Sequence, residues 1–115
     1  MKLKSFEDLL CWQKAYELSK NTYIVMKTCR DYSYRDQLQR ASVSVMNNIA
    51  EGFERSSQKE LKYFLFIAKG SCGEVRSMLI LGSDLGYIKN EEFEKLSSLA
   101  IETSKLLAGF IKKIQ

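Results

Sequence analysis

Proline and histidine are both absent from the 115 residues. At an average usage of ~5 %, about six prolines would be expected. Proline breaks helix interiors, so an all-helical chain is the simplest reading of that gap. The lack of histidine excludes Ser-His-Asp triads, Cys-His pairs and imidazole-held zinc. It also excludes the Glu-x-x-His pairs from which helical bundles build di-iron sites. Cysteine is scarce and odd in number: Cys11, Cys29 and Cys72 form no CxxC pair and suit neither a disulfide framework nor a zinc cluster. Each falls in a helical pattern and reads as a small buried hydrophobe or an inert thiol. Apolar runs such as Tyr63 to Ala68 are far too short to span a membrane. With no signal peptide, the thiols fit a reducing cytosol, so a cytoplasmic protein without membrane attachment is expected. The one glycine-rich segment, Gly70-Ser71-Cys72-Gly73, lies mid-helix and lacks a phosphate-loop pattern. No cofactor, metal site or catalytic residue is expected.

What is present suits one packed core. Hydrophobic residues make up 45 % of the chain and charged residues 28 %, which places it among globular domains. Residues 1–115 read as a single domain, without internal repeat or linker. Eighteen Lys and Arg against fourteen Asp and Glu leave a charge of +4 and a pI near 9.0. That mild excess permits contact with a polyanion without demanding it.

Capping signals divide the chain into four helices, over about 6–30, 34–55, 58–85 and 91–114. Ser5 with Asp8, Ser33 with Asp36 and Ser57 with Glu60 place an acceptor at the N-cap and a carboxylate three residues on. Asn90 before Glu91 and Glu92 starts the fourth helix, and Gly86 after Leu85 reads as a left-handed C-cap. Apolar residues recur at helical spacing: Leu9, Trp12, Tyr16, Tyr23 and Met26 in the first helix; Leu38, Ala41, Val45, Ile49 and Gly52 in the second. The third carries Leu61, Phe64, Ala68, Cys72, Val75 and Leu79, and the fourth Phe93, Leu96, Ala100, Leu107, Phe110 and Ile114. Short loops between long helices predict an up-down-up-down antiparallel four-helix bundle.

Surplus apolar surface points to self-assembly into a ring or barrel-like oligomer. The third helix is apolar nearly all round, with Tyr63, Phe66, Ile67, Gly70 and Leu81 opposite its core stripe. Val43, Met46 and Ala50 flank the stripe of the second. A bundle this small has no interior for a second face, so another copy is the expected cover. Lys62, Lys69 and Arg76 recur every seven residues, with Lys59 and Arg55 at the preceding turn, Arg35 and Arg40 on the second helix, and Lys14 and Lys20 on the first. Gathered around an oligomer, these nine cations would hold phosphates of RNA or DNA, with Tyr32 and Tyr34 as stacking partners. Glu51 and Glu74 are the acids well inside the second and third helices; packing turns both outward, which argues against a carboxylate hydrolase.

The stretch Arg40-Ala41-Ser42-Val43-Ser44-Val45-Met46-Asn47-Asn48-Ile49-Ala50-Glu51-Gly52-Phe53 carries a resemblance. So do Phe64-Leu65-Phe66-Ile67-Ala68-Lys69-Gly70-Ser71, Phe6-Glu7-Asp8-Leu9 and Trp12-Gln13-Lys14-Ala15. Together they resemble the four-helix-bundle proteins encoded within intervening sequences of bacterial 23S ribosomal RNA genes, a family that includes the accessory variability protein of diversity-generating retroelements. The family pattern has a proline near Met46, which this chain lacks, so a straighter second helix is expected. The resemblance implies a barrel-like homopentamer with no enzymatic activity. For the retroelement branch it implies a basic surface that binds nucleic acid and a reverse transcriptase. A protein–protein adaptor that docks such a partner is the alternative function. Gly52 reads as a point of close helix contact, and Asn48 as an amide that sets helix register.

Overall fold

The computed structural model describes residues 3–114, and all of its regular structure is helical. A 3-10 turn at Phe6–Asp8 precedes α1 (Leu10–Met26), α2 (Tyr32–Glu54), α3 (Gln58–Asp84) and α4 (Asn90–Lys113). Connections of residues 27–31, 55–57 and 85–89 reach at most about 18 Å, at ~3.5 Å per residue. They cannot run the length of a molecule measuring 43 × 22 × 20 Å, so successive helices are antiparallel. Helices adjacent in sequence pack together and α1 closes against α4.

The first helix differs most from the expected 6–30. Ser5 and Asp8 do form a capping box, but around the short 3-10 turn. Leu9 then adopts an extended conformation, which restarts the helix and resets its phase. The buried side of α1 is therefore Cys11, Ala15, Leu18, Ser19, Thr22 and Met26. Tyr16 and Tyr23, expected in the core, are 40 % and 47 % exposed. The helix ends at Met26, so Cys29 lies in the connection to α2.

Entry into α2 also differs. Asp31, two residues before the expected Ser33, is the N-cap; its Oδ1 accepts from the Tyr34 amide at 3.1 Å. A second, long-range bond fixes that choice: the Tyr87 hydroxyl donates to Asp31 Oδ2 at 2.8 Å. Ser57 caps α3 as its spacing predicts, accepting from the Glu60 amide at 3.1 Å. At the far end Gly86 takes φ +78°. Its amide donates to Ser83 O and that of Tyr87 to Gly82 O, the paired bonds of a Schellman stop. The fourth helix begins at Asn90, one residue early, because the Glu92 carboxylate accepts from the Lys89 amide at 2.9 Å.

The stripes expected for α2, α3 and α4 supply most of the remaining core: Leu38, Val45, Ile49, Ala68, Cys72, Val75, Leu79, Leu96, Ala100 and Leu107 are all wholly buried. Each buried leucine or isoleucine stabilises the fold by about 1.5–3 kcal/mol. Two glycines set helix spacing. A Cβ on Gly52 would stand 2.9 Å from Phe64 Cβ, and one on Gly82 would overlap the Tyr34 hydroxyl. The first realises the close contact read from the sequence. Polar pairs also bridge helices inside the bundle, with Ser19 Oγ 3.3 Å from Ser42 Oγ and Ser44 Oγ 2.9 Å from Ser71 Oγ. Asn48 does not cross to another helix. Its amide donates to Ser44 O and Oγ, so it orients the serine that makes the α2–α3 bridge.

Candidate nucleic-acid and assembly surfaces

Local pairing sorts the nine candidate cations into two groups. Lys14 lies 3.6 Å from Glu102 on α4, Lys20 3.9 Å from Glu17, and Arg35 2.9 Å from Asp36. Arg55 is held most firmly. It meets Glu51 at 2.8 Å and Glu60 at 3.6 Å, and its guanidinium lies 4.9 Å from the Phe64 ring centroid. It closes the α2–α3 turn. Exposed pairs of this kind contribute little to stability, yet each partly neutralises the charge it presents. By contrast Arg40, Lys59, Lys62, Lys69 and Arg76 have no carboxylate within 4.0 Å among the described residues.

Four of those five stand on α3. Ser71, whose hydroxyl meets Ser44, marks the side of α3 that faces α2. Lys62, Lys69 and Arg76 lie roughly 140° to 180° round the helix from it, at about 100° per residue, on the flank next to α4. The outward ridge between these flanks carries large exposed apolar side chains. Tyr63 is 61 % exposed and Phe66 54 %, and Leu81, in line with Tyr63, continues the strip beyond the bare backbone of Gly70 and Gly73, with Lys59, Ser77 and Asp84 on the same arc. Ile67 is half-buried toward α2. Two further apolar residues are exposed near this ridge: Ile80, in line with Lys62 on the basic flank, and Leu85, which caps α3.

On α2 the outward arc is polar, and Val43, Met46 and Ala50 are half-buried on its α1 side. Met46 packs against the core. Val43 lines a surface hollow with Tyr23, Asp36, Gln39 and Arg40. That hollow is half polar, whereas the groove between α1 and α4, lined by Leu9, Leu10, Cys11, Leu106 and Phe110, is apolar. The α3 ridge and the α1–α4 groove are thus separate apolar areas of the bundle.

Of the two candidate stacking residues, Tyr32 is exposed, with the Arg35 guanidinium 4.6 Å from its ring centroid. Tyr34 is buried. Its hydroxyl donates to Met78 O, and its ring meets Tyr87 edge-on with centroids 5.2 Å apart. Burial pushes its hydroxyl pKa up to about 12. It ties the α1–α2 connection to the α3–α4 connection at the end of the bundle they share, and offers no ring to a ligand. The Tyr34 amide and Tyr87 hydroxyl together hold the Asp31 carboxyl below its usual range.

Glu51 is exposed and bonded to Arg55 near the α2–α3 turn, whereas Glu74 is exposed midway along α3. Of the thiols, Cys11 and Cys72 are buried and Cys29 half-buried, all free. Burial raises the Cys11 pKa to about 11 and that of Cys72 to about 12. Among the described residues no helix is long and apolar enough to cross a membrane.

A sequence profile of the 23S rRNA-intervening sequence protein family matches residues 7–109. Among solved structures, a crystal structure from Bacteroides thetaiotaomicron VPI-5482 superposes with a TM-score of 0.85 at 24 % identity. It is described as a protein with unknown function from the S23 ribosomal protein family, and the match covers 90 % of this chain and 100 % of that one. At that identity the likeness shows the fold. No curated protein matches the sequence.

Proposed function

The chain belongs to the 23S rRNA-intervening sequence protein family, and on that premise we propose a self-assembling, non-catalytic bundle that holds RNA or DNA on the basic flank of α3. One observation carries the reading. Lys59, Lys62, Lys69 and Arg76 share a helix and lack carboxylate partners among the described residues, whereas Lys14, Lys20, Arg35 and Arg55 are all matched by acids. Lys62, Lys69 and Arg76 share one flank, with Lys59 on the adjoining ridge, and unpaired cations so grouped are available to displace counterions from phosphates. Arg40 on α2 adds to the surface as an outlying contact.

Assembly follows from the α3 ridge. A strip containing Tyr63, Phe66 and Leu81, with Ile80 exposed beside it, is more apolar than one isolated surface helix needs. A second apolar area, the α1–α4 groove lined by Leu9, Leu10, Leu106 and Phe110, lies on a different part of the bundle. Contact between unlike patches is heterologous, and repeated with the right rotation it closes a ring. Five copies is the number that the family resemblance implies. The cations on the α4 side of α3 would remain uncovered in such a ring.

Retention of labelled RNA and DNA, measured from about 50 to 200 mM salt, tests the reading. Binding should weaken steeply with salt. Replacing Lys62, Lys69 and Arg76 together by glutamine should lower the log–log salt slope by about 3, at ~0.9 per phosphate contact. Salt-indifferent binding, or a triple variant that binds as wild type, refutes it. For assembly, Phe66→Glu should reduce the mass in multi-angle light scattering to a single copy without loss of helicity, because a charge would be buried between chains. The alternative is an adaptor whose α3 ridge docks another protein such as a reverse transcriptase. It is favoured by the exposure of that ridge in a single copy, and a wild-type monomer that co-purifies with one partner would select it.

A further inference from the structure

A second row of cations lies on α4. Lys105 and Lys112 are exposed, lack carboxylate partners within 4.0 Å among the described residues, and are seven residues apart, as are Lys62 and Lys69. Leu106, Gly109 and Phe110 line the groove shared with Leu9, Leu10 and Cys11, and so mark the α1 side of α4. Lys105 and Lys112 stand roughly 100° and 120° round the helix from Leu106, on the side toward α3.

The two rows are also level with each other. The antiparallel helices α3 and α4 meet at the 85–89 connection, where α3 ends at Asp84 and α4 begins at Asn90. Lys69 and Lys105 each lie fifteen residues from that end, and Lys62 and Lys112 each twenty-two. At 1.5 Å per residue the steps along each row are about 10.5 Å, and packed helix axes stand about 8–10 Å apart. The edge of α4 between the rows is Ser97, Ser104 and Ala108, all half-buried, with Ile101 exposed beside the lysines. Nearby carboxylates are few. Glu94 lies toward the turn end of the face, and Glu102 is drawn to Lys14 on the α1 side.

We infer that this α3–α4 face seats a nucleic-acid duplex, each row of cations gripping one of its two phosphate strands, without reading base sequence. The inference rests on the nucleic-acid reading of α3 and adds the form of the ligand. A single strand offers one line of phosphates and gains affinity from stacking on aromatic side chains. Among the described residues no exposed aromatic ring lies between the two rows; Phe66 adjoins Lys62 and Lys69 on the outer side of their row, with Tyr63 beyond it on the ridge assigned to assembly. A duplex presents two phosphate rails across a groove, about 12 Å wide for the major groove of DNA. Long lysine and arginine side chains in two rows about 10 Å apart can reach both. The face is formed by the sides of α3 and α4, which offer their cations to the duplex backbone and not to base edges.

Short duplexes of RNA and of DNA, and the single strands that compose them, are the probes, in anisotropy titrations at several salt concentrations. Wild type is compared with the double variant Lys105→Gln, Lys112→Gln, whose helicity is checked by circular dichroism; both side chains are exposed, so the fold should be unchanged. Duplexes should bind more tightly than single strands of either chemistry. The double variant should lower the duplex salt slope by about 2 and leave single-strand binding nearly unchanged. Tighter binding of single strands, or duplex binding unaffected by the double variant, overturns the inference while leaving the α3 reading intact. No binding of any probe at low salt overturns both.

Discussion

Gly82 is where the backbone of α3 makes room for Tyr34, and Gly82→Ala tests that packing. A Cβ there would overlap Tyr34 Oη and stand 2.8 Å from Ile88 Cδ1, an approach that no real contact sustains. Tyr34 must then swing away, losing its bond to Met78 O and its seat against Tyr87. Overpacking costs about 1–3 kcal/mol and the hydrogen bond about 1 kcal/mol. Alanine returns up to ~1 kcal/mol through its better helix propensity. The net loss is about 1–3 kcal/mol, or roughly 4–12 °C in Tm for a domain of this size. A double-mutant cycle with Tyr34→Phe isolates the cause, since phenylalanine lacks the oxygen nearest the new methyl. In the Tyr34→Phe background the alanine should cost about 1 kcal/mol less. Equal costs in both backgrounds, measured by thermal or urea unfolding, would show that the methyl and the hydroxyl do not meet. The opposite sign is expected for Gly109→Ala: no atom lies within 4 Å of its Cβ position, and helix propensity alone should raise stability by about 0.5–1 kcal/mol.

Thr22 and Thr103 are both wholly buried, but only Thr103 bonds, to Leu99 O at 2.7 Å, while Thr22 Oγ1 has no partner among the described residues. Thr22→Val should therefore stabilise by about 1 kcal/mol, and a greater gain from Thr103→Val in the same thermal melts would contradict that account. Native alkylation followed by mass spectrometry should modify Cys29 first and leave Cys11 and Cys72 nearly untouched at neutral pH, since burial holds both thiols far above the usual cysteine range. Asp31 is held below its ordinary pKa by Tyr34 and Tyr87. Its carboxylate thus stabilises the fold above the unfolded-chain value of about 3.9 and loses that effect as pH falls through the lower folded value. Asp31→Asn should melt earlier than wild type at pH 7 and draw level with it in acid; a gap that persists at the lowest pH would point to lost packing instead.

The helical class, the stripes of α2, α3 and α4, the Gly86 stop and the close approach at Gly52 follow from residue spacing. These are local properties. A glycine beside a core stripe or an unbroken i, i+3, i+4 pattern has the same meaning wherever the helix ends up. The family signature is likewise legible in residues 40–53 and 64–71. Elsewhere partners distant in sequence decided the outcome. Leu9 turned extended and shifted the phase of α1, leaving Tyr16 and Tyr23 outside. Asp31 displaced Ser33 as a cap because Tyr87 arrives from the far loop, and the same clasp drew Tyr34 inward. The cations show the division most plainly. Their heptad spacing on α3 is written in the chain, but Lys14 is matched by an acid because α4 folds back beside α1, and Lys105 comes level with Lys69 because α3 and α4 run antiparallel from one short turn. Spacing along a helix belongs to the sequence, whereas charge balance and alignment between helices depend on which side chains packing brings within a few ångströms.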